Sequence, residues 1–141
     1  MRKILQPNRN LKTFDKKLRS VLKTKLSAMK SRTPDTDIDL DYLVKLFYIQ
    51  DGKCIYRNTP LIVMPRGERE YNNLKWIPDA LSIDRIDSSV GYFKGNVQFV
   101  GIQFNLIKQN LTNSELFKIA VTIVNNKNRY QKLNKEVKQL V

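Results

Sequence analysis

The sequence predicts an α+β fold in which a strand, a turn, a second strand and a short helix form one unit with helices before and after it. Three observations carry this. Apolar residues recur at helical spacing over residues 11–29, the segments LSIDRID and NVQFV alternate around a turn-rich SSVGYFKG, and Thr112-Asn113-Ser114-Glu115 is a capping-box pattern. A chain of 141 residues is long enough for one domain with a modest core. The expected organisation is a basic helical arm over 1–34, the strand–helix domain over 35–124, and a helical extension over 125–141.

In the first element, Leu11, Phe14, Leu18, Val21, Leu22, Leu26 and Met29 make one apolar stripe, lysines fill the other faces, and Thr33-Pro34 ends the helix. TDIDLDYLVKLFYIQDG reads as a second helix. It opens on acids that suit a helix N-terminus, carries Leu40, Leu43, Leu46 and Phe47, and stops at Asp51-Gly52. These two helices are expected to pack on each other. KCIYRNTPLIVM reads as two short strands around Arg57-Asn58-Thr59-Pro60. PRGEREYNNLKWIPDA follows as a polar loop, with Trp76 expected to anchor it to the core. After the two alternating strands, GIQFNLIKQN reads as a short helix with Phe104 and Ile107 three residues apart. The capping box then opens a helix with Leu116, Ile119, Ala120, Ile123 and Val124 on one face. NNKN weakens the pattern at 125–128 before Tyr130, Leu133, Val137 and Leu140 resume it.

Charge narrows the partner. The chain carries 26 Lys+Arg against 13 Asp+Glu, a net charge of +13 with no histidine. Residues 1–33 hold eleven basic residues against Asp15 alone, a net of +10. Such a segment points to a polyanion, because Lys and Arg contacts to phosphates supply most sequence-independent affinity for nucleic acid. Lys12, Lys16, Lys17, Arg19 and Lys23 are the expected contacts on the arm. A membrane partner is not expected: no apolar run approaches the ~20 residues of a membrane span, and the N-terminus lacks the apolar stretch of a signal peptide. Cys54 is the single cysteine, which excludes an intramolecular disulfide and reads as a small core residue. A cytoplasmic setting is expected.

Residues 82–108 carry the chemistry. Hydrolysis of a phosphodiester calls for a cation on the phosphate, and hard cations take oxygen ligands, often one or two from protein. Asp84 on a strand and Asn105 on the following helix are of that chemical type. The string DRIDSSVGYFKGNVQFV with its helical Asn resembles the ββα-metal motif of the HNH endonucleases, in the form found among small phage and homing-type members. The likeness is close over 82–108 and loose over about 40–120. In that family an Asp-His pair lies on the first strand, an Asn opens the second, and an Asn or His follows nine residues later. Asp84-Arg85, Asn96 and Asn105 stand at those positions, and Lys108 falls where members often carry a lysine.

The resemblance implies a metal-dependent endonuclease acting on double-stranded DNA, with RNA as the alternative polyanion. Asp84 and Asn105 would hold one Mg²⁺ or Mn²⁺, and Asn96 would brace the loop and position the base. One such site cuts one strand, so double-strand cleavage would require a dimer or successive nicks. Two departures stand out. Gly101 and Phe104 occupy the positions of the cysteine pair that in many members binds a structural zinc, so no zinc is expected. Arg85 occupies the place of the histidine base, and a guanidinium accepts no proton. A guanidinium can instead pair with a phosphate in a fork, which is the role expected of Arg85. Asp87, two residues on, is the nearest replacement base, with Tyr92 a weaker one. Asp87-Ser88-Ser89 reads first, however, as the cap of a turn. Lys94 and Lys108 read as phosphate contacts or as solvated charges. The second reading of the whole is a DNA- or RNA-binding regulatory module that kept the fold and lost catalysis.

Overall fold

The computed structural model of the chain describes residues 9–65, 67–68 and 77–140. Five α-helices and a two-stranded antiparallel sheet are seen in that range, which makes the fold α+β. In chain order they are α1 (Arg9–Arg32), α2 (Leu40–Ile49), β1 (Leu81–Arg85), β2 (Val97–Gly101), α3 (Ile102–Lys108), α4 (Asn113–Asn125) and α5 (Lys127–Lys138).

The stripe on α1 buries Leu18, Val21, Leu22, Leu26 and Met29, and it packs on α2, which contributes Leu43, Val44 and Phe47. Burying each such side chain stabilises by roughly 1.5–3 kcal/mol. Leu11 and Phe14, at the start of the stripe, remain exposed, although the Phe14 ring reaches that of Phe47 at 6.1 Å. The N-terminal helix is thus part of the same core as the sheet. Asp39 caps α2, accepting from Tyr42 N at 2.7 Å. The helix stops where Asp51 and Gly52 turn left-handed, at φ 59° and 64°, and Gly52 N donates back to Phe47 O at 2.9 Å.

Residues 53–62 do not form the expected pair of strands. Asn58 N donates to Cys54 O and Cys54 N to Thr59 O, both at 2.9 Å, which curls the segment into a turn with Asn58 at φ 56°. Pro60 has no N–H with which to extend a ladder, so only isolated bridges remain, Lys53 to Pro60 and Ile62 to Ala80. Trp76 and most of the polar loop lie outside the described residues.

The sheet pairs Leu81 with Gly101, Ile83 with Phe99, Asp84 with Gln98 and Arg85 with Val97. Leu81, Ile83, Val97, Phe99 and Val100 face the core, and Cys54 is buried beside them. The chain passes from β2 into α3 without a linker, and Gly101 permits this by lying against the 78–79 backbone.

Beyond α3, Thr112 and Glu115 form the capping box, with Glu115 N donating to Thr112 Oγ1 at 3.2 Å and Thr112 N to Glu115 Oε2 at 2.7 Å. The packing face expected on α4 is not buried: neither α4 nor α5 contains a buried residue, and Ile123 and Val124 are about two-thirds exposed. The reason is where α4 attaches. Asn113 in its first turn donates to Ile86 O at 3.1 Å, and Phe117 meets the Tyr56 ring at 5.9 Å. Asn126 separates α4 from α5. No helix among the described residues is long and apolar enough to cross a membrane.

Gly101 supplies a test of this packing. A Cβ there would stand 2.7 Å from Pro78 O and 3.1 Å from Asp79 Cα. Gly101→Ala is expected to lower stability by about 1–3 kcal/mol, read from the urea midpoint. An unchanged midpoint would contradict the close approach.

Candidate functional site

Asp84 lies at the centre of a buried polar network. It is 3% exposed; its Oδ2 accepts from Gln98 Nε2 at 2.8 Å and its Oδ1 from Lys108 Nζ at 3.2 Å. Antiparallel register places Gln98 directly across from Asp84. Lys108, on the last turn of α3, is fully buried, and its ammonium also donates to Arg85 O and to Ser88 Oγ, the latter at 3.3 Å. Behind Gln98 the network continues. Tyr56 OH donates to Asn113 Oδ1 at 2.6 Å, and Gln98 Nε2 donates to Tyr56 OH at 2.8 Å. Among the described residues no buried side-chain nitrogen or oxygen lacks a partner. Burial first, and the Asp84 charge second, push the Tyr56 phenol up to about 12.

Tyr56, Gln98 and Asn113 were missed by the sequence reading. The available signal was Gln98, a polar residue inside the otherwise apolar VQFVG, at the position facing an acid on the partner strand.

Asn96 ties the 86–95 connection together. Its Oδ1 accepts from Asp87 N at 2.9 Å, while Nδ2 donates to Asp87 O at 3.0 Å and Gly91 O at 2.9 Å. Asp87 itself is engaged by the turn: its Oδ1 accepts from Ser89 N at 2.9 Å and Ser89 Oγ at 2.6 Å. Those bonds, aided by the charges of Lys108 and Arg85, hold its carboxyl below the ordinary aspartate range, which makes it a poorer proton acceptor. Arg85 is half-buried, with its guanidinium over the Tyr92 ring at 5.3 Å.

Asn105 points elsewhere. Its Nδ2 donates to Ser82 Oγ at 2.7 Å and to Ile83 O at 3.3 Å, on the wall of a groove of about 410 Å³ between α1, β1 and α3. Lys25, Arg32, Tyr92 and Leu106 also line it; Asp84 does not, because its carboxylate turns toward Lys108 and Gln98.

As placed, these residues do not fit the divalent ion that the resemblance implies. One Asp84 oxygen already holds an ammonium and the other an amide, and Asn105 turns its nitrogen to the strand. At the positions of that family's zinc-binding cysteine pair, Gly101 backs onto Pro78 and Asp79. Phe104 packs its ring 5.6 Å from that of Tyr56, with the Arg57 guanidinium 6.0 Å away.

The basic residues divide in the same way. Lys17 pairs with Glu68 at 2.8 Å, Arg19 with Asp15 at 2.9 Å and Asp41 at 3.1 Å, and Lys94 with Asp39 at 2.5 Å. Lys108 is neither a solvated charge nor a surface phosphate contact, since the Asp84 carboxylate draws it inside. Lys12, Lys16 and Lys23 are exposed and, among the described residues, have no ion-pair partner. Lys30 joins them: at 3.6 residues per turn the four fall within an arc of about 40° and span ~27 Å of α1.

No family model matches the chain, and no solved structure matches it. The uncharacterized 29.0 kDa protein in the dda-modA intergenic region of Enterobacteria phage T4 is 28% identical over 101 residues. Those residues are 72% of this chain and 36% of that protein, so the chain spans little more than a third of its relative.

Two outcomes follow from the network. Asn96→Ala removes three short hydrogen bonds from one turn and is expected to cost about 1–3 kcal/mol, with faster hydrogen exchange at the Asp87 amide. The Tyr56 phenol is raised in the folded state, so its contribution to stability is complete below the ordinary tyrosine value near 10. It is lost as pH rises through about 12. Tyr56→Phe should therefore flatten the loss of stability between those values, followed by circular dichroism. An alkaline limb that is identical in both proteins would count against this account.

Proposed function

We propose that the chain is a nucleic-acid-binding protein on an HNH-like ββα scaffold, with double-stranded DNA as its ligand. The carrying observation is the line of unpaired lysines, Lys12, Lys16, Lys23 and Lys30, along one side of α1. Duplex DNA presents one phosphate charge per ~1.7 Å of axis, so a stripe of this length runs beside many phosphates at once. The opposite flank of α1 is fixed in the core, which holds the lysines in register without a folding cost on binding. Lys25 and Arg32 line the groove on the other side of α1, where Arg85 lies nearby over Tyr92, and belong to a separate basic surface. The phage relative makes the cytoplasm of a bacterial host the setting that fits.

Binding to a labelled duplex, titrated against salt, tests this reading. Each phosphate-contacting lysine contributes about −0.9 to the slope of log K against log[salt]. Replacing Lys12, Lys16, Lys23 and Lys30 by Ala should make that slope shallower by roughly 3–4 and weaken binding to different duplexes alike. Equal slopes for wild type and the fourfold variant would remove the stripe from the interface. Structured RNA outcompeting duplex at matched salt would replace DNA by RNA.

A second reading, a divalent-metal-dependent endonuclease, is favoured by the position of Asn96 within the string shared with the HNH family, where it ties the loop beside Asp84. For this activity a Mg²⁺ or Mn²⁺ ion must displace the Lys108 ammonium from Asp84. Nicking of supercoiled plasmid by wild type but not by Asp84→Ala, under either metal, supports the enzyme. Equal nicking by the two abandons it.

A further inference from the structure

A carboxylate at 3% exposure has lost most of its water and needs a counter-charge. Lys108 supplies it from a fully buried position. The atoms around its ammonium are all oxygens and come from three residues: a carboxylate oxygen of Asp84, the main-chain carbonyl of Arg85 and the hydroxyl of Ser88. A carboxylate, a carbonyl and a hydroxyl are the donors that a hard cation collects. Here they converge on a nitrogen carried in by α3. The other Asp84 oxygen is closed by Gln98. Thus the mismatch between these residues and a divalent ion has a specific form: the seat exists and is filled by the chain itself.

We propose that Lys108 is a resident cation: its ammonium takes the place of a metal ion on Asp84, so that hairpin and α3 assemble without metal, and shortening Lys108 opens a divalent-cation site. This inference concerns assembly of the unit and is independent of whether the chain binds nucleic acid; metal-dependent cleavage at Asp84, which needs an ion in the place of the ammonium, would speak against it.

Wild-type protein should show the same melting temperature in EDTA, Mg²⁺ and Mn²⁺. Its electron paramagnetic resonance titration with Mn²⁺ should show no bound ion that Asp84→Asn removes. A wild-type site for Mn²⁺ that disappears in Asp84→Asn would overturn the proposal, and this measurement needs no folded Lys108 variant. Lys108→Ala strands a buried carboxylate, and its melting temperature should fall by roughly 10–20 °C. Methylammonium chloride should restore part of that fall relative to sodium chloride at equal ionic strength, and so should Mn²⁺. Neither should help when Asp84→Asn is added to Lys108→Ala. Absence of rescue by both cations would overturn the latent site. Finally, Asp84→Asn combined with Lys108→Met should be more stable than either single variant, because the pair is removed as a unit. Simple additivity would mean that the two side chains do not act together.

Discussion

The neutralisation of Asp84 is the constraint around which the second half of the chain is arranged. Antiparallel register sets Gln98 against it, and α3 must begin directly after β2 for Lys108, seven residues past Gly101, to return over the strand. Gly101 makes that immediate turn feasible because a larger residue would collide with the 78–79 backbone. Asn113 then arrives from the start of α4 and Tyr56 from the 53–62 turn to complete the hydrogen bonding of Gln98. Four side chains from four segments are tied, directly or through Gln98, to one buried charge. In a medium of low polarity such a network is strong when every member is satisfied and costly when one is missing.

α1 carries a different division of labour on a single element. One flank contributes five side chains to the core, while another holds lysines without ion-pair partners. Between them lie charges that are internally compensated: Arg19 bridges Asp15 and Asp41, and Lys17 meets Glu68. The raw count of +10 over residues 1–33 therefore overstates how many cations are at liberty and says nothing about which ones.

Much of the scaffold was legible in the sequence because local rules decide it. The α1 stripe, the Asp51-Gly52 stop, the two alternating strands and the Thr112–Glu115 capping box all rest on contacts within a few residues. Where tertiary partners decide, reading failed. Residues 53–62 have strand composition but close into a turn around Asn58, and the apolar residues of α4 look like a buried face yet, among the described residues, none is fully buried. Lys108 is the sharpest case. A lysine on a short helix reads as surface, and only the three-dimensional meeting with Asp84, 24 positions earlier, explains why it is inside. Arg85 and Asp87 were open to a catalytic or a local reading, and their contacts with Tyr92 and Ser89 in their own loop are of the local kind.

The sharing of α1 between core and lysine stripe has a thermodynamic consequence. A helix whose inner face anchors the fold cannot unwind without scattering the charges on its outer face, so the unfolded chain loses the ordered array that a polyanion would grip. Anything that engages the array then favours the folded state by mass action, and stability and occupancy rise together with ligand concentration. Salt enters the same equilibrium from the other side, since it loosens the ligand while leaving the apolar interior untouched. A polyanion bound to that array would therefore add to the stability of a fold already in place.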